Sequence, residues 1–136
     1  MKNTSIQFKE IISVCRDLYT KKLQDYGPAW RVLRLPSLTD QIFIKVNRIR
    51  TLQEATERLV DEDEEGEFVA IVNYSIMALI QLELGFADQP DLTDEQAIDF
   101  YDKYATIAHD LMMKKNHDYG EAWRDMRVSS ITDLIY

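Results

Sequence analysis

Two copies of one short string carry the residue types best suited to chemistry. The first reads Asp25-Tyr26-Gly27-Pro28-Ala29-Trp30-Arg31, with Arg34 three residues on. The second reads Asp118-Tyr119-Gly120-Glu121-Ala122-Trp123-Arg124, with Arg127 three residues on. A guanidinium binds phosphate through two parallel hydrogen bonds. An aromatic ring stacks on a nucleobase. A glycine turn carrying both suits a nucleotide pocket, with Asp25, Tyr26, Trp30, Arg31, Arg34, Asp118, Tyr119, Trp123, Arg124 and Arg127 as its candidates. The same strings also suit a purely architectural role. In that reading Trp30 and Trp123 plug the core where helices meet, and the arginines pair with Asp25 and Asp118.

Further candidates follow the first loop. Lys45 and Arg48 are three apart and share a helix face, which makes either a phosphate site or a solvated surface. Asp40, Glu65 and Glu67 are the carboxylates that could hold Mg²⁺, a hard cation that takes oxygen ligands. Asp40 and Asp133 are also explained as helix-capping carboxylates. The run Asp61 to Glu67, with six acids in seven residues, reads as a solvated loop. Asn73 and Tyr74 lie in an apolar stretch and need partners across a bundle or a pocket to line. His109 reads as surface and His117 as loop. No glycine-rich phosphate loop, nucleophile elbow or zinc-protease motif is present.

These strings belong to a longer repeat. At an offset of 93, residues 11–43 align without gaps to 104–136, with fifteen identities in 33 positions. A period of this kind makes repeated helical units the organising feature. Copy one is expected over about 5–87 and copy two over about 93–136, in a single domain. The second copy stops one turn into a helix, at Ile131 to Tyr136. We read that as a fragment, the other reading being that a partner supplies the missing half.

The elements that must position these loops are helices. Phe8, Ile11, Ile12, Cys15, Leu18 and Tyr19 follow a 3.6-residue period, predicting a helix from about Ser5 to Gln24. Lys21 and Lys22 suit its last turn. Gly27 serves as a left-handed stop. Ser37 and Asp40 predict a capped helix from Ser37 to about Leu59, and Ser130 repeats that cap. A third helix, about Glu67 to Leu84, is apolar nearly all round and so central. Its apolar run, Phe68 to Leu82, reads as too short and too polar for a membrane span. Thr93 and Gln96 form a capping box for a fourth helix, about Asp94 to Asn116. No segment alternates like a strand. The expectation is an all-α helical bundle built from a tandem repeat.

Composition narrows the function. Residues 1–50 hold ten Lys/Arg against four Asp/Glu, and the remainder hold six against twenty, giving the net charge of −8. So acidic a chain is a poor general DNA binder, although its basic first third suits a small anion. Cys15 is the one cysteine, which excludes an internal disulfide, fits a reducing, cytoplasmic setting and reads as a buried small hydrophobe. No basic stretch followed by an apolar one opens the sequence, so secretion is not expected.

The strings KKLQDYGPAWR, SLTDQIFIKVNRI, EFVAIVNYSIMALI and KNHDYGEAWR, together, resemble the nucleotide modification associated domain 1 family of Bacteroidetes and phages. That resemblance covers nearly the whole chain and implies an association with nucleotide metabolism or DNA base modification. Some phage relatives are similar to all-α nucleoside triphosphate pyrophosphohydrolases, which implies a MazG-like bundle and Mg²⁺ chemistry on facing carboxylates. The paired glutamates of those enzymes are not matched: Gly66, Ala70 and Asn73 stand where acids would be expected. Three functions follow as expectations. The first is a nucleotide-binding helical protein, the second an Mg²⁺-dependent pyrophosphohydrolase, and the third a helical interaction module that self-associates through exposed apolar surface.

Overall fold

The computed structural model describes residues 2–55 and 64–136, and the expectations for helix two beyond Ala55 and for Asp61 to Asp63 lie outside them. The fold is all-α. Helix α1 spans Lys2–Tyr26, α2 Leu35–Glu54, α3 Glu64–Leu84, α4 Asp94–Tyr119 and α5 Val128–Ile135. A short 3₁₀ turn, Ala29–Val32, joins α1 to α2, and its repeat partner, Ala122–Asp125, joins α4 to α5.

α1 and α4 run antiparallel. Ser5 Oγ meets His109 Nε2 at 2.8 Å, Arg16 Nε donates to Asp102 at 2.7 Å, and Tyr19 donates to the Ala97 carbonyl at 2.9 Å. Each residue moving up α1 meets one further down α4. The two repeat copies are therefore related by an approximate two-fold axis between these helices.

α3 lies across the pair and also packs on α2. Ile76 and Ile80 join Cys15, Tyr19, Leu23, Trp30, Ala97, Tyr101 and Ala105 in one core. Ile71 joins Val46 and Ile49 in a second. Over its full 21 residues α3 is long and apolar enough to cross a membrane by length and composition, contrary to the shorter run read from the sequence. In this fold it is the central helix, as its all-round apolarity requires.

Its buried amide at Asn73 has partners on both sides. Asn73 donates to the Cys15 carbonyl at 3.0 Å and accepts from Tyr101 at 2.8 Å. Cys15 is fully buried, as expected. Burial pushes the thiol of Cys15 and the phenols of Tyr19 and Tyr101 above their ordinary values.

Helix ends test the local reading closely. The Thr93–Gln96 capping box forms in both directions, at 3.1 and 2.9 Å. Gly27 and Gly120 stop α1 and α4 at φ +61° and +74°, each N–H returning to the carbonyl four residues back at 2.8 Å. A side chain at that φ would be strained. The expected caps at Ser37 and Ser130 are not used. Both helices begin two residues earlier, with Arg34 and Arg127 in the N-cap position. The Arg34 carbonyl takes the first helical bonds, from Ser37 and Leu38, and Pro36 sits in the first turn, where its missing N–H costs nothing. α1 also runs two residues further than expected, to Tyr26, so Lys21 and Lys22 lie before its last turn.

Candidate functional site

The two arginine–tryptophan loops share a sequence but not an environment. In copy one, Trp30 is buried against Tyr19, ring centroids 6.4 Å apart. Arg31 is 2% exposed. Its Nε and Nη2 donate to the two oxygens of Asp91, at 2.8 and 3.3 Å. Its Nη1 donates to the Gly85 carbonyl at 2.7 Å and also to Gln81 Oε1. The Gln81 amide in turn donates to the carbonyls of Trp30, Arg31 and Leu33, at 3.3, 2.9 and 2.7 Å. Arg31 and Gln81 thus fasten the 3₁₀ turn to the end of α3. This corrects the expectation that Arg31 reaches a phosphate, because its guanidinium is already enclosed. It also corrects the expected pairing with Asp25, which is exposed.

In copy two the loop is open. Trp123 is 40% exposed and donates to Asn116 Oδ1 at 3.2 Å. Arg124 stacks over the Trp123 ring at 4.7 Å and donates to Glu121 at 3.0 Å and Gln7 at 2.7 Å, with Thr4 as a further acceptor. Trp123 therefore does not plug a core, and Arg124 does not pair with Asp118, which meets His117 Nδ1 at 3.1 Å. Tyr119 and Arg127 are exposed. His117 ends α4 rather than lying in a loop, and His109 is half-buried beside Ser5 and the Phe8 ring.

The basic face of α2 is also committed. Lys45 Nζ lies 3.2 Å from Glu67 Oε2, and Arg48 Nη1 lies 3.5 Å from Glu67 Oε1. The first is a charge contact without hydrogen-bond geometry, since Glu67 Oε2 has no hydrogen-bond partner. Lys45, Arg48 and Glu67, expected to serve a phosphate and a metal, neutralise one another across α2 and α3. A carboxylate buried to this degree needs such cations. Asp40 and Glu65 are exposed, and among the described residues no three His, Cys, Asp or Glu side chains gather as a metal site. Arg34 lies over the Phe86 ring at 4.7 Å.

What remains of the first loop is a cavity of about 320 Å³ between α1, the 3₁₀ turn and α3. Four aromatic rings line it, from Tyr19, Tyr26, Trp30 and Tyr74. Lys22, exposed, stands at its rim. The Trp30 Nε1–H is buried, with the Tyr19 hydroxyl as its polar neighbour. Tyr26 is 74% exposed and offers a free ring face. Sequence reasoning named Tyr26 and Trp30 here and left Tyr74 with a pocket as one alternative. It missed Lys22, whose signal was its place among the repeat identities, and Tyr19, which carried no signal beyond helical periodicity.

The family model of nucleotide modification associated domain 1 matches residues 22–82 and again 115–136. The second match begins 93 residues after the first, at the offset of the internal repeat. The chain belongs to the nucleotide modification associated domain 1 family. The first match opens at Lys22 on the cavity rim and closes at Leu82, beside the Gln81 that fastens the turn. No curated protein and no solved structure shows significant similarity to the chain.

Proposed function

We propose that this nucleotide modification associated domain binds a nucleotide, or its nucleoside part, in the aromatic cavity of the first copy. The observation that carries this reading is the box of four aromatic rings, Tyr19, Tyr26, Trp30 and Tyr74, with a lysine at its rim. A nucleobase supplies a flat face to stack on the exposed Tyr26 ring and apolar area to fill the box. The volume sits at the small end for ligand sites, which favours the base and sugar inside and the phosphate outside. Lys22 at the rim is placed to meet that phosphate as a point charge. Arg31 supports the site from behind, by fixing the turn that carries Trp30.

The reading as an Mg²⁺-dependent pyrophosphohydrolase gains less support, because Glu67 is held by Lys45 and Arg48. The test is a thermal-shift panel of ribo- and deoxyribonucleosides and their mono-, di- and triphosphates, each with and without Mg²⁺. A ligand that binds only the folded chain must raise its melting temperature. We expect a selective shift that Tyr26→Ala abolishes and Lys22→Ala reduces for phosphorylated ligands alone. A panel with no shift would overturn the proposal.

A further inference from the structure

The groove that α3 fills in copy one has a twin in copy two. In copy one, α3 lies over Tyr19, Tyr101 and the 3₁₀ turn, with its Glu83 held by Lys103 and Tyr104 at its far edge. Moving each residue by 93 gives Met112, Phe8, the second 3₁₀ turn, Glu10 and Ile11. Phe8, Glu10, Ile11, Met112, Trp123 and Arg124 do line one groove, of about 450 Å³. It is open where its twin is filled. Ile11 is 59% exposed, and Trp123 is five times as exposed as Trp30, at 40% against 8%.

We infer that this groove is the docking site for an apolar helix of a partner polypeptide, seated as α3 is seated in copy one. Its chemistry follows from the twin. The partner helix carries an amide side chain at the place of Gln81, reaching the carbonyls of the Trp123 turn and the Arg124 guanidinium. At the place of Glu83 it carries a cation, because Glu10 stands where copy one has Lys103. Like charges opposed there would repel. The α3 of a second copy of this chain does not qualify, since it is enclosed in its own groove and bears the wrong charge. Docking would cover Trp123 and Ile11 and would draw Arg124 away from Gln7 into a clamp like that of Arg31.

The probe is a synthetic peptide of residues 64–87, solubilised by flanking lysines, in its native form and with Glu83→Lys. Binding to the full chain is read by titration calorimetry and by the indole NMR resonances of the two tryptophans. We expect saturable binding that moves the Trp123 resonance, with the Glu83→Lys peptide tighter by about fivefold, the scale of one partly exposed ion pair. Arg124→Ala, an exposed position that leaves the core intact, should weaken both peptides. Glu10→Lys should reverse the preference between them. No saturable binding, a preference for the native peptide, or binding that moves Trp30 alone would overturn the inference.

Discussion

The repeat allows one substitution to be made twice in the same molecule. Arg31→Ala and Arg124→Ala change identical residues of identical strings, yet their costs should differ widely. Arg31 donates to the Gly85 carbonyl and to buried Gln81, besides its solvent-facing pair with Asp91. Leaving the Asp91 limb out of the sum, loss of the charge-assisted bonds costs about 2–3 kcal/mol. The buried stem of the side chain adds roughly 1 kcal/mol of lost apolar contact. For a chain of this length the unfolding entropy is about 0.29 kcal/mol/K, so a loss of about 3–4 kcal/mol lowers Tm by roughly 10–14 °C. Arg124 is itself exposed, and its one buried partner, Thr4, keeps a hydrogen bond to Glu121 without it, so Arg124→Ala should fall within about 3 °C of the parent. Calorimetric melts of the three proteins read this directly. Equal shifts for the twins, or an Arg31→Ala protein within about 3 °C of the parent, would refute the claim that α3 encloses one loop and leaves the other open.

Other consequences follow from the same contacts. Asn73→Ala leaves the Tyr101 hydroxyl without its acceptor in the core and should cost about 2–3 kcal/mol by urea denaturation; adding Tyr101→Phe should recover part of that loss. Thr93→Ala opens the capping box of α4 and should cost about 1 kcal/mol in the same assay. The carboxyls of Asp91, Glu83 and Glu121 are held below their ordinary values, by the hydrogen bonds from Arg31, from Lys103 and Tyr104, and from Thr4 and Arg124 respectively. Each binds protons more readily unfolded than folded, so its contribution is complete above the ordinary carboxylate range and is lost as pH falls through that range. Tm measured from pH 7 down to pH 3 should therefore drop at the acid end, and Asp91→Asn should flatten part of that drop.

The local features of this fold were legible because they are local. Helical periodicity, the Gly27 and Gly120 stops and the Thr93–Gln96 box each act within about one turn, and all appear where the residues put them. The starts of α2 and α5 were misread for an equally local reason. Ser37 and Ser130 have capping side chains, but a helix that starts at Leu35 or Val128 gains backbone bonds two residues sooner. The site was legible only in part. Arg31 meets Gln81 and Asp91 across 50 and 60 residues, and nothing near Arg31 announces either. The divergence of Trp30 and Trp123 is set by which of them lies under α3, so identical strings could not reveal it. Glu67 did leave a trace: it lies four residues before Ile71, on the face of α3 that turns toward α2, where an acid requires cations.

The indole N–H of Trp30 is the most direct witness to the proposed site. A ¹⁵N-labelled sample gives two indole resonances, assigned by Trp123→Phe. Titration with the nucleotide that raises Tm most should move the Trp30 resonance, because a base stacks in the cavity that ring lines, and should leave the Trp123 resonance in place. A stabilising nucleotide that moves Trp123, or neither tryptophan, would contradict the account.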